Sequence, residues 1–185
     1  MSIKNMMVIL LAMGLMVAAC QPVESDLADS SQKPGDFSFD FRWNVGALPP
    51  PYHYSYEILV AADGNGQFIY QEGYEGEDAK EPVVSDFTLS QEQLIQLYEM
   101  MLQNDLLRVK WEEGEPLLGA PSSAMRITAA GKEHGVPSDA TMKDEDRKAV
   151  TGVYDFLRTL LPQSIWDDLA IRREQADSAV DSPST

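Results

Sequence analysis

Cysteine is almost absent from this sequence: Cys20 is the only one in 185 residues. A single thiol excludes an intramolecular disulfide and a zinc site built on several cysteines. Basic residues are scarce as well, 14 Lys and Arg against 30 Asp and Glu, for a net charge of −16. Such a chain lacks the basic stripes through which proteins hold phosphate backbones, so nucleic acid is excluded as a partner. A basic protein or a cation stays open. Only two histidines occur, His53 and His134, and neither has an acid nearby at ligand spacing. G-x-S-x-G, S-x-x-K, H-E-x-x-H and a phosphate-cradling glycine loop are all missing. Ser122 and Ser123 have no identifiable base, and no pair among the many carboxylates stands out as acid and base. The stretch "DGNGQ" begins like a calcium loop, but Phe68 and Tyr74 occupy the positions where that loop needs Gly and Glu. No catalytic residue, cofactor or metal ligand is expected.

Long apolar runs are also lacking, with one exception at the start, "MSIKNMMVILLAMGLMVAAC". Lys4 precedes an apolar stretch over residues 6–16, and small residues then lead up to Cys20. A charged start, a short apolar core and a small-residue exit describe a secretory signal peptide covering residues 1–19. The core falls short of the about 20 apolar residues that a spanning helix needs.

The tetrapeptide Val17-Ala18-Ala19-Cys20 resembles the lipobox of bacterial lipoproteins. In that class the Cys sulfur carries a diacylglycerol and the preceding peptide is removed. The resemblance implies that Cys20 is the lipid-attachment residue, that the protein is exported, and that the membrane is its first partner. An Asp directly after the modified Cys keeps members of the class in the inner membrane. Gln21 stands there instead, which implies the outer membrane with the domain facing the periplasm.

The segment before Cys20 holds Lys4 and no acid, so the 166 residues from Cys20 onwards carry 13 basic and 30 acidic side chains, a charge of −17. Residues 20–36 contain the lipidated Cys and a polar tether with too little apolar surface to fold. Residues 174–185, "EQADSAVDSPST", read as a disordered tail for the same reason. Between them, residues 37–173 form one domain. "FSFDFRWN" alternates Phe and Trp with polar residues, the period of a half-buried strand. "YHYSYEILVAA" continues that pattern, Asp63-Gly64-Asn65-Gly66 is a hairpin signal, and "QFIYQEGY" returns as a third strand. "PVVSDFTL" is a fourth. Ser90 and Gln93 have capping-box spacing ahead of a helix that turns Leu94, Leu97, Tyr98, Met101 and Leu102 inwards. "AMRITAAGKEHGV" reads as a hairpin. Asp144 is expected to cap a second helix with Val150, Val153, Tyr154, Leu157 and Leu161 inward. Pro162 ends it, and Ser164 opens a shorter third helix with Ile165, Trp166 and Leu169.

The order β-β-β-β-α-β-β-α-α argues an α+β fold: an antiparallel sheet, meander plus hairpin, covered on one face by two to three helices. This order is similar to that of small domains in bacterial lipoproteins and secreted proteins with no assigned activity. Function is therefore expected to be binding or scaffolding in the cell envelope, without catalysis. The alternative is an inhibitor- or immunity-type lipoprotein that meets a basic protein through two acidic loops. Glu75, Glu77 and Asp78 in one loop, with Glu112 and Glu113 beside Trp111 in the other, are the candidate contacts. A third possibility is an envelope enzyme with two carboxylates converging in a cleft.

Overall fold

The computed structural model describes residues 32–50, 52–74, 76 and 80–181. Cys20, Glu75, Glu77 and Asp78 lie outside the described residues. Six strands form one antiparallel sheet: β1 (Ser38–Asn44), β2 (Tyr54–Val60), β3 (Asn65–Glu72), β4 (Val83–Thr88), β5 (Ser122–Ala129) and β6 (Lys132–Val136). Their order across the sheet is β4-β3-β2-β1-β5-β6. The first hairpin of the chain thus ends up flanked on both sides, with β1 paired to β2 and to β5. The turn into β3 depends on Gly64, whose φ is +92° and where a Cβ would stand 2.2 Å from the Leu89 carbonyl oxygen. Asp63 completes that turn by accepting the Asn65 amide at 3.0 Å.

Strand alternation decides which side of the sheet is buried. Phe39 and Phe41 of β1, Tyr56, Ile58 and Val60 of β2, Phe68 and Tyr70 of β3, and Met125, Ile127 and Ala129 of β5 are all buried. Three helices cover this side: α1 (Gln91–Gln103), α2 (Asp144–Leu160) and α3 (Gln163–Asp181). Tyr98 of α1 meets Phe37 edge-on at 5.0 Å between ring centroids, and Tyr154 of α2 lies 4.8 Å from Phe41. Trp166 of α3 sets its edge on both Tyr56 and Phe68. The α+β architecture with an open antiparallel sheet and helices on one side is as the sequence pattern implies.

Helix α1 starts as its sequence implies. Ser90 accepts the Gln93 amide at 3.2 Å, and the Gln93 side chain accepts the Ser90 amide at 2.9 Å. The start of α2 differs. Lys143, with extended backbone, occupies the capping position and makes no side-chain cap bond. Asp144 is instead the first helical residue and pairs with Arg147 one turn on. Asp144, Glu145 and Asp146 together complement the helix dipole in the first turn, which serves the same end.

The third helix is longer than expected. It begins at Gln163 and runs to Asp181, so much of the segment read as a disordered tail is helical. Glu, Gln and Ala there favour helix, and specific contacts fix it. Arg173 lies 4.3 Å over the Tyr54 ring and bonds Asp177 at 2.8 Å, and Ala176 is buried. The tether also ends earlier than residue 36. The Asp36 carboxylate accepts the Ala130 and Gly131 amides of the β5–β6 turn, at 2.8 and 2.6 Å. The Gly131 bond is the main reason its carboxyl titrates below the ordinary range.

Candidate functional site

The helices leave the other side of the sheet bare. That side carries the alternate residues: Ser38, Asp40, Arg42 and Asn44 in β1 and their cross-strand partners. Register places one row across all six strands, Asp86–Gln67–Leu59–Asp40–Arg126–Gly135. At a strand spacing near 4.8 Å this row spans about 24 Å. Two recesses lie along it. One of about 780 Å³ occupies the β4 to β5 side and includes Asp86, Gln67, Leu59, Asp40 and Arg126. The second, of about 500 Å³, continues towards β6 and is lined by Asp40, Arg42, Trp111, Arg126 and Pro137 among others. Because both share Asp40 and Arg126, they form one trough running across the strands.

The charges in the trough are paired with each other. Arg42 Nε is 3.2 Å from Glu57 and 3.6 Å from Asp40, and Arg126 Nε is 3.5 Å from Glu133. Gln67 donates to Asp86 at 3.1 Å. These pairs are solvent-exposed on the arginine side and each adds little to stability, about 0–1 kcal/mol. They do hold the polar groups in a fixed array.

The far wall of the trough comes from a segment without regular structure. After α1 the chain turns at Asp105, where φ is +55°. It then runs beside residues 140–142, with the Gly114 amide donating to Thr141 and the Leu117 amide to Ala140, each at 2.8 Å. Gly114 is needed for that approach, since a Cβ would stand 2.3 Å from the Met142 carbonyl oxygen. Arg108 bonds Asp146 at 2.7 Å and lays its guanidinium 3.7 Å from the centre of the Trp111 ring. Trp111 is thereby fixed at the edge of the bare face. Among the described residues, six buried side-chain polar atoms make no hydrogen bond, and three gather here: Asp40 Oδ1, Arg108 Nε and Trp111 Nε1.

A second polar group lies under the helices. Asp139 accepts the Ser123 amide at 2.8 Å, so the buried serine meets the acid through its backbone and not its hydroxyl. Burial raises the Asp139 carboxyl above its ordinary 3.8, against the lowering effect of the Ser123 and Ala140 amides and of Arg147 and Arg158. Burial also raises the Tyr154 phenol, with the Asp139 charge adding to it. A raised folded pKa contributes stability that is fully present below 3.8 and is lost as pH rises through the raised value. Asp139→Asn keeps an acceptor for Ser123 without the buried charge. Its melting temperature should therefore gain on wild type as pH is taken from below 3.8 to neutrality. A gap that stays constant with pH would show that Asp139 does not carry this cost.

The other residues singled out in the sequence are scattered. His53 is buried, with Nδ1 2.9 Å from the Gly73 carbonyl and its ring stacked 3.7 Å from that of Tyr74. His134 sits on β6 opposite Ile127, three strands away from β2. Glu112 is exposed and ion-paired with Lys143, which offsets its charge locally. Lys143 and the pairing hydrogen bond also lower the Glu112 carboxyl. Glu113 is exposed and its backbone bridges to Met142. Among the described residues no His, Cys, Asp and Glu cluster is placed to hold a metal, and no helix is long and apolar enough to cross a membrane. No protein-family model matches the chain, and no curated protein matches it significantly in sequence.

Proposed function

We propose that this chain is an exported lipoprotein, anchored through Cys20 with its domain facing the periplasm, whose folded part binds a ligand on the bare sheet face and performs no chemistry on it. The observation that carries this reading is the trough across the uncovered side of a sheet whose other side is fully used for the core. Its charged groups are engaged with one another across strands. That arrangement orients hydrogen-bonding groups for recognition, as binding sites do with a few placed polar residues.

The lone cysteine makes a direct test available. Once Cys20 is lipidated, a thiol introduced elsewhere is the only reactive one in the chain. Gln67→Cys and Thr128→Cys place it on the bare face, and Glu99→Cys on the exposed side of α1. Maleimide labelling in intact envelopes should be several-fold slower than in the purified protein at the first two positions and unchanged at Glu99. Equal rates at all three would mean that the face stands empty in the cell. A second reading, an inhibitor- or immunity-type lipoprotein with a basic partner, has the exposure of Glu113 in its favour. Protection of Glu113→Cys, lost in high salt because exposed charges are screened, would select it instead.

A further inference from the structure

We infer that an uncharged tip, built by Leu48, Leu117 and Leu118 at the end of the sheet away from the tether, docks on the neutral lipid surface of the anchoring bilayer. This rests on the lipoprotein reading. Residues 43–56 and 116–125 hold no Lys, Arg, Asp or Glu, in a sequence that is 24% charged. The fold joins the two stretches. Asn44 donates to the Ser122 hydroxyl at 2.7 Å, and the Ala47 amide to the Gly119 carbonyl at 3.3 Å. Gly46 permits that approach, since a Cβ there would stand 2.4 Å from the same carbonyl oxygen. Beyond this junction Leu118 is 93% exposed, Leu117 45% and Leu48 40%. Tyr74, also exposed, donates its hydroxyl to the Leu48 carbonyl at 2.7 Å. Clustered apolar exposure of this kind marks contact with a protein or a membrane.

Hydrogen bonding selects lipid over protein. Protein interfaces carry about one hydrogen bond per 100–200 Å² beside their apolar area. At the tip the backbone donors are already spent. The amides of Val45, Gly46, Ala47 and Leu48 all donate within the protein, as do those of Leu117 and Ala120. Pro49, Pro50, Pro116 and Pro121 have no amide hydrogen to offer. Such a surface suits hydrocarbon, where each unsatisfied donor is costly. Tyr74 beside it has the apolar body and polar end that settle at headgroup level. Charge selects the kind of lipid. At −17 beyond the signal segment, the chain is repelled by anionic headgroups, whereas zwitterionic ones leave an uncharged tip free to enter. Reach is sufficient. The tether joins β1 at Ser38, and the tip follows its other end, Asn44. Residues 20–36 extend to at most about 60 Å, and β1 covers only about 24 Å. The tether is therefore long enough to pass the strand and return the tip to the same bilayer. Docked so, the strands stand on end and the trough opens sideways.

The test places the mature lipoprotein in phosphatidylcholine nanodiscs, which hold no second bilayer, with doxyl quenchers on the acyl chains. A nitrobenzoxadiazole fluorophore is attached to Leu118→Cys at the tip or to Glu99→Cys on α1. Quenching should be several-fold stronger at 118 than at 99, with emission shifted to the blue. Adding Leu48→Asn and Leu117→Asn to the labelled Leu118→Cys protein should at least halve the quench while the melting temperature stays the same. Replacing half of the lipid by phosphatidylglycerol should weaken it too, and a quench that rises instead overturns the preference for a neutral surface. Equally weak quenching at both positions, with the protein still on the discs, overturns the docking and leaves the Cys20 anchor standing. A blue shift at 118 without quenching means that protein covers the tip, which overturns lipid as its occupant. Protein that fails to stay with the discs removes the anchor and the docking together.

Discussion

Labelled palmitate should enter the wild-type protein made in a bacterial host and should be absent from the Cys20→Ser variant. The effect is expected to be all-or-none because, in a lipoprotein of the proposed kind, the diacylglycerol is joined to the Cys20 sulfur, and the sequence offers no second thiol. The stable product should begin at Cys20 and run heavier than its polypeptide mass by the lipid. Anchoring then follows from acyl burial, at about 0.8 kcal/mol per methylene, where one chain holds marginally and two or more hold firmly. The acidic surface of the domain is repelled by anionic headgroups, and no described helix is long and apolar enough to cross a membrane. The variant need not become soluble, since an unprocessed precursor keeps the apolar run over residues 6–16. Label incorporation is therefore the decisive measurement, and label that persists in Cys20→Ser would remove the lipoprotein reading.

Local signals carried the fold further than the site. The strand β1 is legible because its eight-residue alternation can satisfy only a half-buried sheet, and α1 because Ser90 and Gln93 announce its first turn. Both depend on neighbours a few residues apart. Two local readings failed, each for its own reason. At the start of α2, three successive acids satisfy the dipole equally well, so sequence does not say which residue is the cap. At the end of α3, the small polar residues 174–181 read as unstructured until Arg173 is seen to lie on Tyr54, a contact across more than a hundred residues.

The trough was hidden more deeply. The alternation in β1 does put Asp40 and Arg42 on a polar face. It does not say that β1 will pair with β5 as well as β2, and only that pairing brings Arg126 opposite Asp40. Nor does it say that residues 105–121 will carry Trp111 to the same face. That path is set by Gly114 closing on Met142 and by Arg108 reaching Asp146. Acidic residues were conspicuous in the sequence, but Glu112 is spent on Lys143, and Asp40 reaches the trough only through strand pairing, which composition does not mark.

The one-sidedness of the sheet predicts a sharp contrast between adjacent residues of β1. Phe41 is wholly buried between Tyr154 of α2 and Tyr56 of β2, with the Arg158 guanidinium 5.7 Å from its ring centre. Phe41→Ala removes the ring from the middle of the core and leaves a cavity that rigid aromatic neighbours cannot fill. The expected loss is about 3–5 kcal/mol, a large share of the roughly 5–15 kcal/mol that holds a domain together. For a domain of this size that corresponds to a fall in melting temperature of about 10–20 °C. The next residue, Arg42, points to the bare face with its side chain 61% exposed and ion-paired to Asp40 and Glu57. Arg42→Ala loses only surface pairs and should cost under about 1 kcal/mol. Thermal melts of the two variants beside wild type measure the difference directly. If Arg42→Ala destabilised as much as Phe41→Ala, something would have to cover the second face of the sheet, and the trough could not be open to a ligand.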